Sequence, residues 1–270
     1  MVFLSSLSDK RLPARAAPAA APAYPPASDL RFYAELGRRK ARDESGLFLA
    51  EGRKLVEEGL RSGCPCAAVF VREGFYGRHP ETDALLSTVD AKVLAERDFK
   101  RLADTEEPQG LIAAFDWRGL CVDEPEGPVV PALYDVADPR NMGTIVRSAD
   151  WFGVSSIIVG EGCVDPFNGK AARSSMGSVF RLRFVRPASL ADELGRLKAR
   201  YRVVVADLNG ADYRSFKGGP DGIYVFSNEA RGPSDEILAL ADAVATIPGA
   251  GRAESLSVAV AAAVMIAALS

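Results

Sequence analysis

Residues 129–152 read VVPALYDVADPRNMGTIVRSADWF. An apolar run, Val129–Val136, ends at Asp138-Pro139, and a helical apolar pattern opens near Gly143 and runs to Phe152. A continuous apolar strand of this kind, unlike an alternating one, expects cover on both faces. The same rhythm continues downstream. Further strands are expected at Ser156–Val159, Val203–Ala206, Gly222–Phe226 and Ala243–Ile247, and helices at Leu190–Ala199, Ser234–Leu240 and Ser255–Leu269. Apolar strands separated by helices predict an α/β domain with a mainly parallel sheet. Ligands of such sheets sit at the carboxyl ends of the strands, so the strand-exit loops are where function is sought.

Upstream, the rhythm differs. A helical pattern begins at Asp29-Leu30-Arg31-Phe32, another covers Glu51–Arg61, and Ala67–Val71 and Gly110–Phe115 read as strands. The acidic, Pro/Gly-bearing stretch Val122–Pro128 marks a linker. The expected organisation is a flexible Ala/Pro-rich tail over 1–27, a small α/β domain over 28–118, a linker over 119–128 and a catalytic-type domain over 129–270. Hydrophobic residues at 48 % and charged residues at 26 % fit a soluble chain of two modest domains. The net charge of −3 supplies no global field for a polyanion, so any nucleic-acid contact must come from local patches. Cys64, Cys66, Cys121 and Cys163 lack C-x-x-C spacing and His79 is the single histidine, so no metal site and a reduced, cytoplasmic setting are expected. The apolar run Ser257–Leu269 falls short of the ~20 residues a bilayer needs, so no membrane span is expected.

Three strand-exit loops hold unusual residues. In the first, Asp138–Gly143, turn chemistry accounts for most positions, but Arg147 lies among Ile145, Val146, Trp151 and Phe152 and its head must find an acid, a phosphate or water. In the second, Phe226–Pro233, Glu229 follows an apolar strand and is either a surface carboxylate or a partner for Arg147 or a ligand. In the third, Ile247–Val258, Gly249 and Gly251 permit close backbone approach and Ser255 is placed to cap the last helix. Gly249-x-Gly251 is no dinucleotide fingerprint, since Glu254 stands at the third glycine position. Gly169-Lys170 likewise lacks the Ser/Thr and upstream glycine of a phosphate loop. Lys170, Arg173, Arg181, Arg183 and Arg186 still form a cationic band, read either as phosphate contacts or as a solvated charged face.

Taken in order, these loops resemble the SpoU/TrmH family of SPOUT-superfamily RNA methyltransferases. Asn141-x-Gly143-x-x-x-Arg147-x-Ala149 matches the first motif, and Asp165-Pro166 through Arg183 is similar to the stretch that follows it. Asn228-Glu229-x-x-Gly232 resembles the second motif, and Ile247-Pro248 with Glu254-Ser255-Leu256 the third. Glu51–Val56 and Glu107–Leu111 look like the ribosomal-protein-like substrate-binding domain that often precedes the catalytic one.

The resemblance implies a SPOUT α/β domain with a deep trefoil knot, a homodimer, S-adenosyl-L-methionine as cofactor and 2′-O-methylation of an RNA ribose, most plausibly ribosomal RNA. Asn141, Arg147, Glu229 and Ser255 fall on the catalytic positions. Cofactor contacts are implied at Asp207, Leu208, Asn209 and Gly210, at Ser227, Asn228, Glu229 and Gly232, and at Ile247, Pro248, Gly249, Ser255 and Leu256. Lys170, Arg173 and Arg181 are candidate RNA contacts. A guanidinium is a poor base, so Arg147 is expected to polarise the hydroxyl, held by Asn141 and Glu229. Three positions depart from the family pattern: Ser227 stands where glycine is usual, Gly249 where methionine is frequent and Ser257 where asparagine is usual. A transfer-RNA substrate, a resistance-type enzyme protecting one ribosomal nucleotide, a silent RNA-binding protein and a small-molecule α/β enzyme are the competing readings.

Overall fold

The computed structural model describes residues 24–217, 219 and 221–270. The expected tail lies outside the described residues as far as residue 23. Its last residues are tied down: the Tyr24 hydroxyl donates to Asp116 Oδ2 at 3.0 Å, and Pro25 O accepts from the Tyr33 hydroxyl at 2.7 Å.

The first unit comprises α1 (Leu30–Glu35), α2 (Arg39–Ser45), β1 (Leu47–Glu51), α3 (Arg53–Arg61), β2 (Cys66–Arg72), α4 (Pro80–Leu86), β3 (Ala91–Leu94), α5 (Glu96–Leu102) and β4 (Leu111–Asp116). Its sheet runs β1-β4-β2-β3, with β4 antiparallel to both neighbours and β2 parallel to β3. The whole of β4 is buried, as its apolar Leu111–Phe115 run requires of a strand covered on both faces.

The second unit follows as β5 (Val129–Tyr134), α6 (Pro139–Trp151), β6 (Ser156–Val159), α7 (Gly169–Ser174), β7 (Arg183–Val185), α8 (Leu190–Leu197), β8 (Arg202–Asp212), β9 (Gly222–Ser227), α9 (Asp235–Leu240), β10 (Ala243–Thr246) and α10 (Val258–Leu269). Its sheet is parallel throughout, in the order β10-β8-β9-β5-β6-β7. The parallel sheet expected from the strand–helix rhythm is therefore present.

Boundaries moved for identifiable reasons. Helix α6 begins at Pro139, not at Gly143, because Asp138 caps it by accepting the Arg140 N–H at 2.7 Å and Pro139 suits a first turn. Helix α10 begins at Val258 because the cap is Ser257, whose hydroxyl accepts the Val260 N–H, and not Ser255. Strand β7 was not expected; it is three residues long and sits inside the cationic band.

The stretch read as a linker is pinned to the second sheet. Val122 N–H donates to Phe184 O at 3.0 Å, Glu126 N–H to Ser156 Oγ at 2.8 Å, and the Tyr201 hydroxyl to Pro125 O at 3.1 Å. The two units also share one core. Phe48 packs on Phe167 and Phe180 with ring centroids 5.4 and 5.7 Å apart, and Trp117 stacks on Phe167 at 5.3 Å. Beneath them the buried Arg42 Nε donates to Asp165 Oδ2 at 2.8 Å. An ion pair this deep is stable only because further bonds satisfy it, here from Arg42 Nη1 to Leu36 O and Gly37 O.

Candidate active site

The parallel pairing of β8 with β10 is interrupted. Val204 and Val205 face Ala243 and Val244, then Ala211 and Asp212 face Ala245 and Thr246, so residues 206–210 leave the sheet and return. Gly210 closes the excursion: a Cβ there would lie 2.6 Å from Val244 O, too close for any other residue to fit without a backbone shift. This excursion, the exit of β9 and the segment after β10 enclose a cleft of about 690 Å³ at the carboxyl ends of the strands. Asp207 and Leu208 line it from β8, Ser227, Asn228, Glu229 and Gly232 from β9, and Ile247, Pro248, Gly249, Ser255 and Leu256 from the last loop. Asn209 and Gly210 do not line it, Gly210 being spent on β10. The floor is apolar, from Phe226, Ala245, Val258 and Met265. Those four were not singled out in the sequence because buried apolar residues carry no signal beyond that of a core.

The loop after β9 is built on Asn228. Its Oδ1 accepts the N–H groups of Ala230 and Arg231 at 2.9 and 3.3 Å, while its backbone O accepts that of Gly232 at 2.8 Å. Gly232 has φ +69, the left-handed conformation glycine adopts without steric cost. The turn presents Glu229 to two partners: its Oε1 accepts the Val258 N–H at 2.6 Å and the Asn141 amide at 3.4 Å. By contrast, residues 248–256 make no hydrogen bond among the described residues, which leaves their N–H and C=O groups available along the cleft rim.

Asn141 and Glu229 thus meet each other, and neither holds Arg147. Arg147 lies six residues beyond Asn141 on α6, a step of about 120° around a helix. Its side chain is exposed and has no ion pair or hydrogen bond among the described residues. It shares an exposed stripe with Arg140, Thr144 and Trp151, the last 73 % exposed. Ser255 is exposed on the last loop.

Most of the cationic band lies between the two units. Arg173 bonds Glu51 at 3.2 Å and Asp104 at 2.6 Å, and Arg181 bonds Glu58 at 2.6 Å and Asp150 at 2.8 Å. Arg186 bonds Asp43 at 3.1 Å and covers the Trp117 ring. With their charges matched by carboxylates, these arginines are spent on joining the units, and Lys170 alone of the three candidate RNA contacts stays exposed and unpaired among the described residues. Burial pushes the Cys66 thiol up to about 12 and those of Cys121 and Cys163 to about 11, so none of the three is a nucleophile near neutrality.

Residues 128–267 match the profile of the SpoU rRNA Methylase family, and residues 28–113 that of the MRM3-like substrate binding domain. The 23S rRNA (guanosine(2553)-2′-O)-methyltransferase RlmP of Bacillus subtilis is 34 % identical over 244 residues, 88 % of this chain and 94 % of its own. A TrmH-family structure from Porphyromonas gingivalis aligns with a TM-score of 0.77 at 32 % identity, covering 92 % of this chain and 98 % of the other. The AdoMet-bound rRNA methyltransferase of Sinorhizobium meliloti aligns with a TM-score of 0.74 at 31 % identity, covering 90 % and 95 %.

Proposed function

The chain belongs to the SpoU rRNA methylase family, and on that premise we propose that it methylates a ribose 2′-hydroxyl of ribosomal RNA with S-adenosylmethionine as methyl donor. The observation that carries this reading is the junction of Glu229 with Asn141. It sets the wall of the 690 Å³ cleft against the helix that presents Arg147.

The cleft suits the cofactor. Its apolar floor and the aliphatic flanks of Leu208, Ile247 and Leu256 accept a flat adenine, and the unbonded backbone of 248–256 offers donors and acceptors to ribose and amino-acid groups. Ser227, at the position where glycine is usual in the family, lines this wall. Ser257 retains a capping role at α10 in place of the usual asparagine.

When bound, S-adenosylmethionine supplies an electrophilic methyl, so the chain's residues must align the hydroxyl and ease loss of its proton. Arg147, unpaired on the exposed stripe, is the group that polarises that hydroxyl. Asn141 and Glu229 act as positioning residues for the cleft wall, and Ser255 lines the rim. Lys170 and the 28–113 unit supply RNA contacts. We read the protein as a homodimer, in which a second copy would cover exposed apolar side chains such as Trp151 on α6, Leu256 before α10 and Val260 on it. We read the passage from β9 through the last loop to α10 as the family's trefoil knot, and the protein as cytoplasmic; among the described residues no helix is long and apolar enough to cross a membrane.

The test is transfer of tritiated methyl to unmodified ribosomal RNA and, in parallel, to transfer RNA, followed by mapping of the labelled ribose. Label in a ribosomal 2′-O-methyl nucleotide is expected. Label confined to transfer RNA would reassign the substrate, and none in either would end the enzymatic reading.

A further inference from the structure

We propose that Asp135 is a positioning residue that latches the loop 227–233 through Arg231, and that this latch sets the affinity for the cofactor more than the rate of transfer. The inference rests on reading the 690 Å³ cleft as the cofactor site.

Asp135 follows β5 directly and has φ +56, one of two non-glycine residues with positive φ among the described residues. Aspartate tolerates that region better than most side chains, but the conformation persists only where its surroundings hold it. Four contacts do so. Its N–H donates to Glu161 O at 3.1 Å, and its carbonyl accepts the Asn228 amide at 3.3 Å. Its Oδ2 receives Arg231 Nε at 3.2 Å. Gly162, itself at φ +72, packs so closely that a Cβ there would lie 2.7 Å from Asp135 Oδ1. Two of the four come from the cofactor loop.

That loop needs a tie because it is a partition. Arg231, Gly232 and Pro233 line the cofactor cleft on one side and, on the other, a separate hollow of about 250 Å³ bounded by Asp135 and Glu161. Protein packing backs the loop on neither face at these residues. Glu229 anchors its start to α10 and Asn141, and Asp135 anchors its end. Without the second anchor the partition relaxes into the hollow and the cleft widens, while Asn141 and α6 stay where Glu229 holds them. A loss of cofactor affinity with little change in turnover follows.

The Arg231 side chain is 74 % exposed, so the pair has the modest strength of a surface ion pair. Calorimetric titration of the full-length protein with S-adenosylmethionine and S-adenosylhomocysteine, beside steady-state kinetics, tests the proposal. Asp135→Asn keeps the tolerance for positive φ, and Arg231→Ala removes the other partner. Each is expected to raise Kd and cofactor KM about 3- to 5-fold, with kcat changed by less than about twofold. The double variant should be no weaker than the worse single, and Arg231→Lys should recover most of the affinity. Wild-type Kd in both single variants, or strictly additive losses, would overturn the latch. So would a raised, salt-sensitive KM for RNA with unchanged cofactor Kd, which would make Arg231 a phosphate contact. A wild-type protein that binds no cofactor at all would overturn the reading of the cleft itself.

Discussion

The Glu229 carboxylate accepts the backbone N–H of Val258, the first residue of α10, at 2.6 Å. Its Oε1 also accepts the Asn141 amide, so one oxygen joins the loop after β9, the last helix and the helix that carries Arg147. A carboxylate at a helix N-terminus satisfies an otherwise orphaned donor and meets the positive end of the helix dipole.

Glu229→Ala should therefore act on stability and binding together. The loss of a cap and of an amide partner costs about 1–2 kcal/mol, seen as a fall of a few degrees in melting temperature. Cofactor affinity should fall with it. Glu229→Gln keeps an acceptor oxygen and should retain most of the stability. If the alanine variant melts and binds like wild type in thermal denaturation and calorimetry, this junction is not what shapes the cleft.

Arg147 should behave in the opposite way. It is exposed and unpaired among the described residues, so Arg147→Ala is expected to leave stability within about 0.5 kcal/mol and cofactor affinity unchanged. Turnover should drop by about 100-fold or more, because the electrostatic contact proposed for Arg147 in the transition state is removed. Arg147→Lys should rescue little, since the ammonium lacks the planar fork. Single-turnover methyl transfer at saturating RNA is the measurement; wild-type turnover in the alanine variant would remove Arg147 from the chemistry.

Much of this was legible in the sequence. Asp138-Pro139 and the apolar runs before and after it placed β5 and α6, and residues of the second and third loop motifs line one cleft although 28 residues separate Ser227 from Ser255. What escaped were relationships that depend on who meets whom in space. Spacing could not reveal that Arg173 faces Glu51 and Asp104 and that Arg181 faces Glu58, because those acids lie in the other unit. Nor could it reveal that Gly143 serves helix packing and not a turn, since Asn-x-Gly is equally good turn chemistry. The positive φ of Asp135 had no sequence mark, because aspartate is common in ordinary strand exits.

Acid stability should depend on Asp116. Burial raises its carboxyl pKa, but bonds from the Arg118 side chain and backbone N–H and from the Tyr24 hydroxyl outweigh it, and the net shift is downward. The folded value therefore lies below the unfolded one of about 3.9. The stabilisation is fully present above that pH and is lost as pH falls through the folded value. Asp116→Asn should lower stability at pH 7 and flatten its decline below about pH 4. The Arg118 side chain is half exposed, which keeps the effect modest. Urea unfolding from pH 7 to pH 3 is the check; parallel curves for the two proteins would refute it.

Two glycines set helix propensity against packing. In an open helix, Gly→Ala stabilises by about 0.5–1 kcal/mol. Gly195 on α8 is such a site: it is exposed and a Cβ there meets nothing within 4 Å. Gly195→Ala should raise the melting temperature by a degree or more. At Gly143 on α6 the added Cβ would lie 2.4 Å from Ala171 O, 2.4 Å from Ser174 Cβ and 2.9 Å from Ser175 N. Two of those atoms belong to the backbone of α7 and its end, so no side-chain rotation relieves the clash. The two helices must separate, at a cost of about 1–3 kcal/mol that exceeds the propensity gain. Separation also displaces Asn141 and Arg147, so Gly143→Ala should lose turnover as well as stability, while Gly195→Ala keeps it. Melting temperatures that move the same way in both variants would show that α6 and α7 are not in this close contact.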